Sequence, residues 1–98
     1  MMPHIIISPN ARRDLIGIGT YTEKQWGKQQ RKKYLSQLKS RIQRLAKNPT
    51  QGQQHHELPE APHGYHEGRH VIFYRPVVNG IEIIRILHDA MDFARHFD

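Results

Sequence analysis

The sequence of 98 residues contains no cysteine and no apolar run long enough to cross a bilayer. The missing cysteines exclude disulfides, thiolate metal sites and cysteine nucleophiles. The first residues also lack the charged, apolar and small-residue regions of a secretory signal. We therefore expect one domain, residues 1–98, that works in the cytoplasm and makes no contact with a membrane.

Acidic residues are scarce, and the middle of the chain has a long segment without any. The net charge is +6 at pH 7 with neutral histidines. The basic residues of this acid-free segment are Lys28, Arg31, Lys32, Lys33, Lys39, Arg41, Arg44 and Lys47. Such a cluster attracts polyanions or an acidic protein partner. The alternative is a solvated helix face without a partner, because a surface helix must carry charge somewhere.

Two runs near the C-terminus predict a β-hairpin. Residues 68–75 and 81–88 are rich in β-branched and aromatic side chains. The Asn79-Gly80 pair between them suits a two-residue type I′ turn, which needs two positive φ angles.

Both faces of this hairpin are apolar, because side chains alternate between the faces of a strand. In the first strand of the hairpin, Val71 and Phe73 are predicted on one face and Ile72 and Tyr74 on the other. In the second strand one face carries Ile81, Ile83 and Leu87, and the other face carries Ile84 and Ile86. Each side of the sheet therefore needs a cover. Two helices cover only one side, so we expect a binding partner to complete the other. The alternative is that the loop and the C-terminal segment fold over it.

The first half of the chain predicts a strand and two helices. Residues 3–7 form a short strand, and Ser8 and Pro9 suit the N-cap and first turn of a helix that ends at Gly27. A second helix over residues 28–47 has apolar side chains at i, i+3, i+4 and i+7 spacing. The short connection predicts an antiparallel helical hairpin.

The second half adds a polar loop, three strands and a short tail. The loop leads into an edge strand near Tyr65, and after the hairpin Asp89 is expected to cap a last short helix in which Phe93 and Phe97 pack together. The predicted fold is α+β with the order β-α-α-β-β-β. In it the helical hairpin packs on one face of a small, mainly antiparallel sheet.

The chain contains eight histidines, which raises the question of a metal or catalytic site. Imidazole serves as a metal ligand or as a general acid and base. The chain nevertheless has no helical histidine pair at i, i+4 and no cysteine ligand. No Ser-His-Asp order, phosphate-cradling glycine loop or carboxylate pair stands out. We therefore predict no catalytic, cofactor-binding or metal-binding residue.

Four segments, taken in their order and spacing, resemble the ParE branch of the RelE/ParE toxin superfamily. They are residues 8–15 (SPNARRDL), 44–49 (RLAKNP), 68–74 (GRHVIFY) and 85–93, in which RILH is followed by MDF. The resemblance covers nearly the whole chain. It implies a toxin of a type II toxin–antitoxin module that a ParD-like antitoxin neutralises and that poisons DNA gyrase by binding. On this basis DNA is reached only through the antitoxin or gyrase.

The other branch of the superfamily supplies the alternative function, a RelE-like ribosome-dependent mRNA endonuclease. Those enzymes use basic side chains, often with a tyrosine or histidine, to activate the 2′-hydroxyl and to stabilise charge on phosphate. The absence of Lys and Arg from residues 48–67 argues against this function. Convergence of Arg69, His70, Arg85 and His88 on one surface would favour it.

The predicted target contacts are Arg69, Arg75, Arg85, His88 and Met91. The three arginines interrupt apolar strands, where a charge must be paired or must face a partner. The alternative for them is an internal ion pair with Asp89 or Asp92. His88 and Met91 belong to the segment that resembles the closing motif of the family.

The predicted antitoxin contacts lie on the helical hairpin and comprise Ile16, Trp26, Lys33 and Arg41. Trp26 is also a strong candidate for the core, since its spacing continues the apolar stripe of the first helix.

Overall fold

In the computed structural model, which describes residues 3–97, two helices lie against one face of a five-stranded sheet. The helices are α1 (Pro9–Trp26) and α2 (Lys28–Lys47), and the strands are β1 (His4–Ile7), β2 (Gln53–Gln54), β3 (His63–Glu67), β4 (His70–Val77) and β5 (Gly80–His88). The strand order is β1-β5-β4-β3-β2, and β1 is parallel to β5 while the other neighbours are antiparallel. The predicted α+β class is confirmed. The strand β2 was not predicted.

Helix α1 begins and ends where its capping residues predict. The Ser8 hydroxyl accepts a hydrogen bond from Ala11 N at 3.0 Å and donates one to Ile84 O at 2.8 Å. At the other end Gly27, with φ 90°, donates its N–H to Glu23 O at 2.8 Å. One serine therefore starts the helix and also fastens it to β5.

The turn between β4 and β5 lies one residue before the predicted position. Val77 pairs with Gly80, so the two connecting residues are Val78 and Asn79, and Asn79 has φ 62°. Gly80 belongs to β5 because His4 of β1 approaches it closely, and a Cβ on Gly80 would lie 1.9 Å from His4 O. The predicted Asn79-Gly80 turn is wrong because this contact depends on β1, which is far away in the sequence.

A β-bulge at Ile84 interrupts the alternation of β5. Phe73 pairs with Arg85 but Tyr74 pairs with Ile83, so Ile84 is an extra residue in β5. Ile86 consequently joins Ile81 and Ile83 on the helix side, and Leu87 lies on the opposite side. The predicted grouping of Leu87 with Ile81 and Ile83 is wrong for this reason.

The core between the helices and the sheet contains the larger of two apolar clusters. Leu38 and Leu45 of α2 are fully buried there against Ile72, Tyr74 and Ile83 of the sheet. The Tyr74 hydroxyl donates a hydrogen bond to Pro49 O at 2.6 Å and accepts one from Gly52 N at 2.9 Å, so its burial leaves no polar atom unsatisfied.

The second face of the sheet is covered by the chain itself. Phe73 is fully buried between Leu58 of the loop and the tail residues Phe93 and Phe97, whose rings lie 5.0 Å from its own. The expectation that a partner must complete this face is wrong. The loop and the tail exclude water from it instead.

The C-terminal tail forms a 3₁₀ turn over Phe93–His96 and not a helix capped by Asp89. The residue at its N-cap position is Asp92. Asp89 lies 3.0 Å from His66 Nε2 through its Oδ2 atom, so its carboxylate links the tail to β3. Within residues 3–97 neither helix combines the length and the hydropathy of a transmembrane span.

Candidate functional site

A groove of about 790 Å³ lies between α1, the ends of β4 and β5, and the tail. Helix α1 lines one side with residues that include Arg13, Ile18 and Trp26, while the tail contributes Met91 and His96. We call this surface the groove. Its position is set by the bond between Ser8 and Ile84 and by the ion pair between Asp14 and Arg85.

The groove exposes large apolar side chains from two separate parts of the chain. Tyr21 and Trp26 of α1 are 59% and 65% exposed, and Met91 of the tail is 46% exposed. The Tyr21 and Trp26 rings meet edge to face with 6.1 Å between their centroids. Exposed apolar residues that converge on one concave surface are typical of a binding site for another molecule.

Cationic groups surround these apolar residues. Arg13 and Arg69 are both exposed and line the groove. Arg85 also lines it, but its guanidinium donates two hydrogen bonds of 2.9 Å to the Asp14 carboxylate. Arg13 and Arg69 are therefore better placed than Arg85 to bind an incoming carboxylate or phosphate.

His70 and Tyr34 are joined by a short hydrogen bond at the inner end of the groove. The Tyr34 hydroxyl lies 2.6 Å from His70 Nδ1 and accepts a hydrogen bond from Arg69 N at 3.0 Å. Burial, together with the nearby His88, lowers the pKa of His70 to about 4. His70 is therefore neutral at pH 7, and burial also raises the pKa of Tyr34, so the pair stays uncharged.

The comparisons with known proteins identify the family. The family model described as "ParE toxin of type II toxin-antitoxin system, parDE" matches residues 5–93. The chain belongs to the ParE toxin family. It is 38% identical over 90 residues to Toxin ParE1 of Caulobacter vibrioides, an alignment that covers 92% of this chain and 93% of that protein. It is 34% identical over 97 residues to Toxin ParE1 of Mycobacterium tuberculosis (strain H37Rv), covering 98% and 99% of the two chains.

A solved structure has the same fold as this ParE family member. A chain of the structure described as "Chromosomal ParDE TA system from P. aeruginosa" matches with a TM-score of 0.75 and 17% sequence identity. The match covers 89% of this chain and 96% of that chain. The predicted ParE resemblance is thus confirmed, and the protein is a ParE-type toxin of a type II toxin–antitoxin system.

The groove brings together five of the nine contact residues that the sequence predicts for this ParE family member. Four were predicted as target contacts and one, Trp26, as an antitoxin contact. The five are Trp26, Arg69, Arg85, His88 and Met91. The two predicted sets therefore overlap on one surface.

The remaining four residues lie outside the groove. Ile16 is 63% exposed, and it lies nearly opposite Ile18 on α1 because the two are two residues apart. Lys33 is exposed on α2. Arg41 pairs with Glu67 at 2.7 Å and lies 4.4 Å above the Tyr65 ring, while Arg75 pairs with Glu82 across the hairpin at 2.5 Å.

Two of the sequence-based interpretations of these residues are wrong. Trp26 is exposed and is not part of the core. The internal partners of Arg85 and Arg75 are Asp14 and Glu82, not Asp89 or Asp92.

Sequence reasoning missed Arg13, Tyr21 and Tyr34 as residues of the groove. Arg13, Gly17 and Tyr21 are spaced by four and therefore share one side of α1, a pattern that the sequence already contains. Tyr34 fits the apolar spacing of the second helix, and that pattern alone gives no reason to place it in a groove. A half-buried tyrosine needs a hydrogen-bond partner for its hydroxyl, and this requirement could have indicated a contact such as the one with His70.

Proposed function

We propose that this ParE family member is neutralised by a ParD-like antitoxin and, when free, poisons DNA gyrase by binding, without covalent chemistry of its own. The groove is the surface through which both partners act. The observation that supports this proposal best is the convergence of Tyr21, Trp26 and Met91, all exposed, on one groove. Burying these side chains would provide the free energy for binding a protein segment.

The charges of the groove indicate the kind of segment that fits. Arg13 and Arg69 lie beside the apolar side chains and would attract carboxylates, while the apolar floor would bind the hydrophobic side of the same segment. An amphipathic segment with acidic and apolar residues meets both conditions. Such a segment is what a disordered antitoxin tail that folds on binding would supply.

Neutralisation would then be a matter of occlusion. Arg69, His88 and Met91 are predicted target contacts, and they lie in the same groove as Trp26, a predicted antitoxin contact. An antitoxin segment bound there would cover the residues that gyrase needs. In this proposal one small surface serves two mutually exclusive partners.

The only tryptophan of the chain permits a direct binding test. Trp26 is 65% exposed in the groove, so its fluorescence emission should shift to shorter wavelengths when a ParD-like antitoxin is added. Met91→Ala should weaken this binding, whereas Val78→Ala, which removes an exposed apolar side chain at the distant hairpin turn, should not. An unchanged emission spectrum in a complex that forms by gel filtration would contradict the groove as the antitoxin site.

A second pair of variants asks whether the antitoxin extends beyond the groove. Ile16 and Lys33 remain predicted contacts, although both lie outside it. If Ile16→Ala weakens binding as much as Met91→Ala does, the antitoxin wraps around α1. If Ile16→Ala binds normally, the groove alone is sufficient.

The gyrase proposal is tested with purified protein, gyrase and supercoiled plasmid. We expect cleaved plasmid to accumulate with the wild-type toxin and to decrease with Arg69→Ala. Arg12→Ala, which removes the same charge from the exposed outer surface of α1, is the control. Plasmid that is fully religated in the presence of folded toxin would contradict gyrase poisoning.

One observation favours the ribonuclease as a second candidate function. Arg69, His70, Arg85 and His88 all line the groove, which is the convergence that such an enzyme requires. The Asp14–Arg85 ion pair and the bond between His70 and Tyr34 already occupy two of these groups, which argues against it. Translating ribosomes treated with the toxin decide between the two functions: message cut on the ribosome, with intact plasmid in the gyrase assay, would support the nuclease.

A further inference from the structure

A row of lysines runs along the outer face of α2. Lys28, Lys32, Lys39 and Lys47 are all exposed and follow one another at intervals of four, seven and eight residues. At 100° and about 1.5 Å per residue they fall within about 100° of arc and span about 28 Å of the helix. We call these four residues the lysine row. A shallow cleft of about 350 Å³ between Lys28, Leu35 and Lys39 lies along it.

The protein's own carboxylates do not neutralise this row. Arg31 and Arg41, the neighbouring arginines of α2, are paired with Glu23 at 2.9 Å and with Glu67 at 2.7 Å. In the part of the chain from residue 3 to 97, no carboxylate lies within 4.0 Å of a lysine of the row. The positive charge is therefore available to a partner.

The lysine row points away from the groove. Gln30 and Tyr34 are the α2 residues that line the groove. Helix geometry places Lys32 and Lys39 roughly 160 to 180° around the axis from the midpoint of these two residues. A molecule bound to the lysine row would therefore leave the groove free for its own partner.

We propose that the lysine row binds the phosphate backbone of duplex DNA directly. This goes beyond the proposed function, in which DNA is reached only through the antitoxin or gyrase. The row lies along one side of a single rigid helix, which suits the line of phosphates on a duplex. It contains no aromatic side chain, and aromatic stacking platforms are what proteins normally use to hold single-stranded nucleic acid.

The shape of α2 favours DNA over duplex RNA. The major groove of B-form DNA is wide enough to admit an α-helix, so that lysines on one face of a helix reach phosphates on its edges. The major groove of A-form RNA is too deep and narrow for this. An acidic protein segment is less suitable, because it would need carboxylates regularly spaced along the full length of the row.

The salt dependence of binding measures the number of phosphate contacts. We propose titrating the full-length protein against a fluorescein-labelled DNA duplex of about 24 base pairs and following anisotropy between about 50 and 200 mM KCl. Each phosphate contact contributes roughly −0.9 to the slope of log K against log salt, so four lysines give a slope of about −3.6. Lys32→Ala combined with Lys39→Ala should reduce the slope to about −1.8, and this loss of about 1.8 in slope corresponds to roughly 60-fold weaker binding near 100 mM salt, relative to a common affinity at about 1 M.

A matched control removes two charges elsewhere. Arg12→Ala combined with Arg95→Ala lowers the net charge by the same amount at two other exposed positions and should leave the slope unchanged. Circular dichroism would verify that both variants are folded. The proposal is overturned if the two variants lose affinity equally, if the wild type does not bind the duplex, or if duplex RNA or polyglutamate binds more tightly than DNA does.

Discussion

Asp14 and Arg85 are 71 residues apart in the chain and are joined by two hydrogen bonds of 2.9 Å. The same carboxylate accepts a third bond from Ile86 N at 2.9 Å, and Arg85 donates one to His96 O at 3.2 Å. The bond to Asp14 raises the pKa of Arg85, which stays charged throughout the accessible pH range. This pair holds α1, β5 and the tail together beneath the groove.

Removing the Asp14 carboxylate should therefore destabilise the fold. In Asp14→Ala the Arg85 side chain, 19% exposed, loses its counter-charge and Ile86 N loses its acceptor. We expect a loss of about 3 kcal/mol in the free energy of unfolding, measured by urea denaturation.

The control for this variant is Glu82→Ala. It breaks the Arg75–Glu82 pair, in which the Arg75 side chain is 58% exposed and water screens the charges. Its effect should be much smaller. Equal losses from the two variants would contradict the structural role of the Asp14–Arg85 pair.

The covered second face gives another stability prediction. Phe93 packs on the fully buried Phe73, whereas Met91, two residues earlier in the same tail, is 46% exposed. Phe93→Ala should cost about 2 to 3 kcal/mol of unfolding free energy, and Met91→Ala less than about 0.5 kcal/mol. Thermal denaturation of the isolated protein measures both. If Phe93→Ala were neutral, the tail would not cover this face in solution.

His70 should make stability depend on pH. Its pKa is about 4 in the folded protein and 6.5 in the unfolded chain. The unfolded state therefore binds more protons between these values, and stability falls as the pH decreases from about 6.5 toward 4. After allowance for the partial solvent access of His70, we expect a loss of about 1 to 2 kcal/mol.

The measurement for this prediction is urea denaturation at pH 7 and pH 5. His70→Asn keeps an acceptor near the position of Nδ1 but does not titrate, so its stability should change less over this interval. His56→Gln, which removes an exposed histidine, should behave like the wild type. An unaltered pH dependence in His70→Asn would show that other groups cause it.

Two glycine substitutions should have opposite effects. A Cβ on Gly80 would lie 1.9 Å from His4 O, and a backbone atom cannot move away without breaking the pairing of β1 with β5. A Cβ on Gly17 of α1 would meet nothing within 4 Å. Gly80→Ala should therefore lower the melting temperature strongly, while Gly17→Ala should add about 0.5 to 1 kcal/mol of stability. A tolerated Gly80→Ala would contradict the register of β1.

The bounds of the two helices could be predicted from the sequence because their signals are local. Ser8, Pro9 and Gly27 act within one helical turn of their own positions, and each does in the structure what its chemistry indicates. The family resemblance also rests on short local segments in the correct order, and the match of the family model to residues 5–93 confirms it.

The errors in the hairpin depend on contacts between distant parts of the chain. The hairpin turn is displaced because His4 of β1 approaches Gly80, and the alternation of β5 is shifted by the bulge at Ile84. Backbone groups at this bulge have partners in the first quarter of the chain, as Ser8 N and Oγ donate to Ile83 O and Ile84 O. No pattern within residues 80–88 contains this information.

Burial on the second face of the sheet and at Trp26 also could not be predicted from the sequence. Leu58, Phe93 and Phe97 lie in two separate segments, and neither segment has enough apolar residues to predict a cover. Trp26 continues the apolar spacing of α1, but the helix ends before a neighbour can bury it. Spacing indicates which residues share a side of a helix, and only the packed structure determines how much of that side is covered.

The parallel pairing of β1 with β5 has a consequence for synthesis of the protein. His4 to Ile7 pair with Gly80 to Ile83, so the first strand must wait for almost the entire polypeptide to leave the ribosome before it gains a neighbour. A nascent chain interrupted earlier has neither the partner of its first strand nor the arginine that holds Asp14. The finished groove thus forms only in a chain that extends through β5, and messages broken before the codons of that strand yield fragments that cannot assemble it.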